Sequence, residues 1–260
     1  MRARPEEVYA SRRAPAMRAE SCTATFRRIY KFSGGGTMKP IKTPQQAVEN
    51  MKDGCSIMVG GFISCGRPLA VLDAIYEKGL KNLTIISNDT SKEETGIIKL
   101  VMAGRVSKFI GSYIGMNRIM GEKMKSGEVK IELVPQGTFV ERIRASGAGL
   151  GGVLTPTGLG TAIAEGKEVL TVDGKKYLLE KPLKADFAIV KANKADKYGN
   201  GFSAGSSKNF NVAMAMAADY VIMEAEEIVE PGQLDPEKVT FPCVFIDALV
   251  KVSKPAPEGK

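Results

Sequence analysis

Histidine and tryptophan are both absent from the 260 residues. The first absence is the more informative. It excludes a Ser-His-Asp or Cys-His centre built from this chain alone, histidine-ligated metals, and imidazole as a general base. An active site here has to work with carboxylates, lysines, thiols, hydroxyls, backbone amides or groups lent by a partner. Long apolar runs are missing too. The longest, at 56–62 and 186–190, fall far short of the roughly 20 residues that a membrane-spanning helix needs. Cysteine is scarce: Cys22, Cys55, Cys65 and Cys243 show neither a CxxC pairing nor zinc-ligand spacing. That pattern fits a reducing cytoplasm better than a disulfide framework. A cytoplasmic protein is expected, with no membrane partner, no metal and no prosthetic group.

What is present reads as a globular protein. At 43% hydrophobic and 25% charged residues, the chain can bury a substantial core, as one large α/β domain or two small ones. The formal charge of +8 invites a nucleic-acid reading, so its location matters. Residues 1–37 hold eight basic side chains against Glu6, Glu7 and Glu20, a net +5 that leaves only +3 on the remainder.

Residues 1–37 are Arg- and Ala-rich, lack hydrophobic periodicity and end in Ser33-Gly34-Gly35-Gly36-Thr37 before Met38. A transit peptide would be acid-poor, which the three glutamates oppose. A basic arm for nucleic acid would carry an aromatic ladder, which this segment lacks. The favoured expectation is an N-terminal extension, disordered or a mis-assigned start, with Met38 as the natural first residue and no nucleic-acid partner.

From Pro40 onward the pattern is that of a folded domain. Thr43-Pro44-Gln45-Gln46 predicts a capped helix running to about Met51 and broken at Asp53-Gly54. Residues 56–59 read as a buried strand ending in Gly60-Gly61. Helical spacing over 67–79 is followed by a strand at 83–86. Further strands are predicted at 107–110, 129–134, 187–190 and 220–223, with helices at 96–103, 118–125, 138–145 and 211–217. This alternation predicts an open, mostly parallel sheet with helices on both faces. Asp173-Gly174, between 168–172 and 175–179, predicts a small β-hairpin beside it.

The chemistry-bearing segment is Asp53-Gly54-Cys55-Ser56-Ile57-Met58-Val59-Gly60-Gly61-Phe62-Ile63-Ser64-Cys65-Gly66-Arg67-Pro68. A buried strand delivers two glycines at its carboxyl end, where open α/β sheets place their ligands. Glycines let the backbone approach a substrate closely, and the amino end of the helix that follows favours an anion. A bare Gly-Gly turn needs no ligand at all. With glycine near 7% and proline near 5% of residues, however, Gly-Gly-Phe-x3-Gly-x-Pro arises by chance in about one chain in several thousand.

This segment resembles the first signature of the family I coenzyme A transferases. The resemblance continues through Ser87-Asn88-Asp89-Thr90, Val134-Pro135-Gln136-Gly137-Thr138, Glu141-Arg142-Ile143-Arg144 and Gly147-Ala148-Gly149-Leu150-Gly151-Gly152. It runs on through Leu154-Thr155-Pro156-Thr157-Gly158, Lys176-Tyr177-Leu178-Leu179-Glu180, Ala195-Asp196, Gly199-Asn200 and Asp247. It thus covers essentially all of 38–250 as one transferase α-subunit domain, with 251–260 as a tail. The similarity is to the α subunits of the acetate and butyrate–acetoacetate enzymes, and to the amino-terminal half of the succinyl-CoA:3-ketoacid enzymes.

The resemblance implies a hetro-oligomer, usually α2β2, that exchanges CoA between an acyl-CoA and a short-chain carboxylate such as acetate, butyrate or acetoacetate. Its nucleophile is a glutamate in a Ser-Glu-Asn-Gly motif of the β subunit, which becomes a glutamyl-CoA thioester. No such motif occurs in this chain, where Glu141, Glu165 and Glu180 lack its surroundings. By the same resemblance Gly60, Gly61, Phe62, Ile63, Ser64, Cys65 and Gly66 bind CoA, Gln136 stabilises the oxyanion, and Asn88 lines the cleft. CoA enters as a substrate. The alternative is a non-catalytic α/β module that binds CoA or a phosphorylated small molecule.

The remaining features have plainer readings. Cys65 has no neighbour in sequence that would activate its thiol. Met214 and Met216 are packing residues. The glycines of 147–152 follow a helix, not the strand that a dinucleotide loop requires. The acidic run 224–230 reads as a solvated turn. Glu141 and Arg142 admit either an ion pair or a contact with the partner.

Overall fold

Short aliphatic runs bounded by glycine and polar residues become the strands at the centre of the molecule. A computed structural model of the chain describes residues 37–91 and 94–252. The N-terminal extension up to Gly36, Cys22 within it, and the tail from Ser253 lie outside the described residues. The first half alternates β1 (Ile41–Lys42), α1 (Pro44–Ala47), β2 (Ser56–Val59), α2 (Leu69–Lys78), β3 (Leu83–Ile86), α3 (Ile97–Met102), β4 (Val106–Gly111), α4 (Arg118–Ser126), β5 (Lys130–Leu133) and α5 (Gln136–Gly147). The second half holds β6 (Val153–Thr155), β7 (Val169–Val172), β8 (Lys175–Glu180), β9 (Ala185–Asp196), β10 (Gly201–Phe202), α6 (Asn211–Met216), β11 (Ala218–Val229) and β12 (Ala248–Lys251).

The main sheet runs β1-β12-β11-β9-β2-β3-β4-β5, every pair parallel, with β10 turned back antiparallel onto β9. Successive side chains of a strand point to opposite faces. Accordingly Ile57 and Val59 enter one buried cluster with residues of α1, α2, α3 and α4, while Met58 enters a second with residues of α5 and α6. Both faces are therefore covered, which is why β2 reads as a continuous apolar run.

The predicted hairpin forms at Asp173 (φ +51°) and Gly174 (φ +75°), the paired positive φ values of a two-residue turn. Strand β6, which the sequence reading omitted, joins it in a separate three-stranded antiparallel sheet, β6-β8-β7. The Thr43 capping box is present, yet α1 ends at Ala47 instead of Met51. The amides of Glu49 and Met51 bond three residues back, to Gln46 and Val48, and the Lys78 ammonium caps the carbonyls of Val48, Glu49 and Met51 at 2.6–2.9 Å.

The acidic run is not a solvated turn. Residues 224–229 continue β11, in register with β9, so that Glu224 faces Lys191 and Glu227 faces Lys194. Ion pairs follow at 2.9 Å and 3.0 Å, and Lys197 pairs with Glu230 one step further on. The negative charges are matched by a lysine ladder on the neighbouring strand.

Candidate active site

The order of strands reverses between β2 and β9: β3, β4 and β5 succeed one another on one side, β11 and β12 on the other. Such a switch opens a crevice at the carboxyl ends of the strands. The glycine segment leaves β2 at this point. The Gly60 amide donates to the carbonyl of Ile189 on β9 at 3.0 Å. Phe62 and Cys65 exchange two backbone hydrogen bonds at 3.0 Å, closing a tight turn with Ile63 and Ser64 at its tip. Ile63 adopts φ +54°, a strained conformation for a β-branched residue.

A buried ion pair holds that strain. Arg67 is 5% exposed and Asp89 2%, and their side chains meet at 2.5 Å. Arg67 Nε donates to the carbonyl of Ile63, and the amide of Ile63 donates to Asp89 Oδ2 at 3.0 Å. Both peptide groups flanking the strained residue are thus clamped by one pair. Burial pushes the Asp89 carboxyl up, but the Arg67 charge and hydrogen bonds from Ile63 N, Asn88 Nδ2 and Ser91 N outweigh it and hold it below its ordinary value.

From Asp89 the contacts run on to the neighbouring strands. Asn88 Nδ2 donates to Asp89 Oδ2 at 2.8 Å, and Asn88 Oδ1 accepts from Gln136 Nε2 at 2.9 Å and Ser112 Oγ at 2.5 Å. Gln136 opens α5, directly after β5, and Ser112 follows β4. The loops after β2, β3, β4 and β5 therefore share one hydrogen-bonded network at the carboxyl edge.

On the other side, residues 209–211 brace the glycine turn. Asn209 Oδ1 accepts from Gly61 N at 3.2 Å, and its Nδ2 donates to the Cys65 carbonyl at 3.2 Å. Fully buried Asn211 donates to the carbonyls of Gly66 and Ser207 and accepts from Lys191 N. A Cβ on Gly60 would lie 1.8 Å from Asn211 Oδ1, which is why glycine is required there.

The network brings together Gly60, Gly61, Phe62, Ile63, Cys65, Gly66, Asn88 and Gln136. Ser64 occupies the turn tip. The anion expected at the start of α2 is supplied by the protein itself: Val71 N donates to Glu224 Oε2 at 3.1 Å. The positive end of the helix is therefore already matched by a carboxylate, itself neutralised by Lys191. Glu141, Glu165 and Glu180 take no part in the network. Glu180 is buried against Lys167, and Glu141 pairs with Arg144. Arg142 turns instead to Glu132 at 3.1 Å. Cys65 Sγ lies against neutral hydroxyls, 3.3 Å from Ser206 and 3.6 Å from Ser207.

Sequence reasoning gave no role to Arg67 and Asp89, although both stand inside the quoted motifs, and it passed over Ser112, Asn209 and Asn211. The residues of 206–211 carry the polar composition of any loop before a helix, so nothing local marked them.

The family model described as coenzyme A transferase matches residues 41–252. The chain is 48% identical over 210 residues to the acetate CoA-transferase subunit alpha of Escherichia coli (strain K12), covering 81% of this chain and 96% of that one. It is 52% identical over 200 residues to the acetoacetyl-CoA:acetate/butyrate CoA transferase alpha subunit of Clostridium acetobutylicum, covering 77% and 92%. The fold is shared with glutaconate coenzyme A-transferase from Acidaminococcus fermentans, at a TM-score of 0.73 and 21% identity over 82% of this chain and 75% of that one. It is also shared with an acyl-CoA transferase from Escherichia coli O157:H7, at a TM-score of 0.76 and 21% identity, where this chain spans 83% of its own length and 47% of the other's. The chain belongs to the coenzyme A transferase family, as one of its α-type subunits.

Proposed function

We propose that this chain joins a β subunit, as α2β2 in the cytoplasm, to move CoA between an acyl-CoA and a short-chain carboxylate: acetate, butyrate or acetoacetate. The β subunit supplies the nucleophilic glutamate. This chain supplies the CoA-binding turn, from Gly60 to Gly66, and the oxyanion donor Gln136.

The chemistry suits a chain without histidine. A glutamate carboxylate is ionised at neutral pH and attacks the thioester carbonyl without a general base. The tetrahedral oxyanion collapses by expelling CoA as a thiolate, a good leaving group that needs no strong acid, and leaves an acyl–glutamyl anhydride. The thiolate then attacks the glutamyl carbonyl, which releases the first carboxylate and forms the glutamyl-CoA thioester. The incoming carboxylate reverses these steps. No proton is gained or lost over the cycle, so the site has to stabilise negative charge and little else. Neutral amide donors do this well in a site closed to water.

The observation that carries this reading is the placement of Gln136. One N–H is fixed on Asn88 Oδ1, which leaves the other for a ligand, on the same network as the clamped glycine turn. The amides of Gly60, Gly61, Phe62, Ile63 and Cys65 are already spent within the protein. The turn is thus a rigid surface for CoA to pack on, not a nest of free donors.

The test assembles the chain with its β subunit and follows CoA transfer from acetoacetyl-CoA to acetate. Activity is expected only in the mixture, and Gln136→Ala is expected to lower kcat by about 10²–10³, the usual effect of losing one oxyanion donor. Unchanged turnover would remove Gln136 from the mechanism. CoA binding without transfer in the mixture would favour a non-catalytic binding module.

A further inference from the structure

The network from Asp89 to Gln136 has a direction. Each member that links Asp89 to the proposed oxyanion donor is a primary amide, and an amide can be turned end for end with little change in shape. Ser112 does not decide the matter, because its hydroxyl also reaches the Asn88 backbone carbonyl at 3.0 Å. Only Asp89 has a fixed character: an ionised carboxylate accepts and never donates. Its two oxygens are fully used. Oδ1 accepts from Arg67 and Ser91 N, and Oδ2 accepts from Ile63 N and Asn88 Nδ2.

We propose that Asp89 is a positioning residue whose acceptor-only carboxylate sets the donor direction of Gln136 through Asn88. The reasoning rests on the reading of Gln136 given above. With Asp89 facing it, Asn88 must turn its NH2 inward, which presents Oδ1 to Gln136. Gln136 must then turn its own NH2 toward Asn88, and the second N–H of that group is aimed in one direction only. Asn88 is 2% exposed, so water cannot compensate for a misturned amide there. Gln136 is exposed in the single chain, so its inner end follows Asn88 while its outer end is free to meet a ligand. The Arg67 charge that clamps the CoA turn also keeps Asp89 ionised, so one ion pair organises both the turn and the oxyanion donor.

Asp89→Asn preserves size while cancelling this direction. Arg67 and Ser91 N hold the oxygen of the new amide, which places its nitrogen opposite Ile63 N and Asn88 Nδ2. Asn88 then reverses, and Gln136 reverses with it, presenting a carbonyl where an N–H stood. Asn88→Ala removes the relay and leaves the Arg67–Asp89 clamp in place.

The experiment is a double-mutant cycle in the assembled enzyme, with acetoacetyl-CoA and acetate as substrates. Asn88→Ala is expected to lower kcat by about 10²-fold, with KM for the acyl-CoA within about twofold. Asp89→Asn is expected to lower kcat at least as far and, by loosening the clamp on Ile63, to raise that KM as well. In a Gln136→Ala background Asn88→Ala is not expected to lower kcat further, because it acts through Gln136, and any further loss from Asp89→Asn reports the clamp on the turn. If Gln136→Ala is impaired while Asn88→Ala is fully active, or the two losses multiply, the relay is refuted and the reading of Gln136 stands. If Gln136→Ala is itself fully active, that reading falls first, and the relay with it. Should Asp89→Asn fail to assemble, the cycle between Asn88→Ala and Gln136→Ala decides between the same outcomes.

Discussion

Gly60→Ala is the most severe single-methyl change that the structure allows to be worked through. Gly60 does not occupy the left-handed region, so alanine is permitted there by its backbone. The obstacle is space alone. The new Cβ would stand 1.8 Å from Asn211 Oδ1 and 2.6 Å from its Cγ, far inside any real contact. Asn211 is fully buried and cannot swing away without breaking its bonds to Lys191 N, Gly66 O and Ser207 O. Overpacking costs about 1–3 kcal/mol, and each buried polar group left unpaired adds about 1–3 kcal/mol. A total near 3–5 kcal/mol is expected, a large share of the roughly 5–15 kcal/mol that holds a domain folded. The assay is urea unfolding of the chain followed by circular dichroism. Asn211→Ala supplies the check: it removes the obstructing atom, so adding Gly60→Ala to it is expected to cost less than about 1 kcal/mol more. Gly54→Ala is a control of the opposite kind, with φ +78° and nothing within 4 Å, and is expected to lose about 1–2 kcal/mol through backbone conformation alone. A Gly60→Ala loss below about 1 kcal/mol, or full additivity with Asn211→Ala, would refute the steric reasoning.

Three further outcomes are expected. Asp89 and Glu132 both have folded carboxyls held below their ordinary values, against the effect of burial, by Arg67 and hydrogen bonds at the first and by Lys108 and Arg142 at the second. Their contribution is therefore complete above the unfolded carboxylate range of about 4 and is lost as pH falls through the lower folded values. The urea midpoint should stay level down to about pH 5 and then fall, and a midpoint that rises on acidification would contradict this. Glu224→Ala leaves Lys191 with only the longer contact to Glu226 and strips the carboxylate from the start of α2. A loss of about 3–5 kcal/mol in the same unfolding assay is expected, and a loss under about 1 kcal/mol would show that Glu226, 3.9 Å from Lys191, takes over. The middle rung, Lys194–Glu227, is solvated, and a double-mutant cycle on it should return a coupling below about 1 kcal/mol.

How much of this was legible in the sequence depends on the range of the interaction. Strands β2 and β3 were readable because both their faces are buried, and glycines or polar residues mark their ends. The Thr43 cap and the Asp173-Gly174 turn were readable because their partners lie within three residues. The short strands β1, β6 and β12 carry no comparable pattern; pairing with distant neighbours makes them strands. The acidic run was misread for the same reason. Taken alone, its glutamates belong in water. Yet Lys191, Lys194 and Lys197 repeat at the spacing of Glu224, Glu227 and Glu230, each pair 33 positions apart. Two long parallel strands in one register would produce that correspondence, so β11 was written in the sequence as a relation between two segments.

The site divides along the same line. The glycine turn, Asn88 and Gln136 stand in contiguous motifs, whereas Asn209 and Asn211 reach the turn from 144–148 positions away and leave no local trace. The missing histidine connects these two levels. A histidine site can set its polarity by gaining or losing a proton, and its chemistry then follows pH. The cycle proposed here transfers no net proton, and its donors are amides, which carry no charge and have two interchangeable ends. Their direction must come from a group that cannot reverse. Among the described residues that these two amides meet, Asp89 is the ionised one, and its buried contact with Arg67 at 2.5 Å ties its ionised state to the same clamp that shapes the glycine turn. On the relay proposed above, a site that dispenses with imidazole places its buried carboxylate behind the donor, where it orients the reacting groups without touching them.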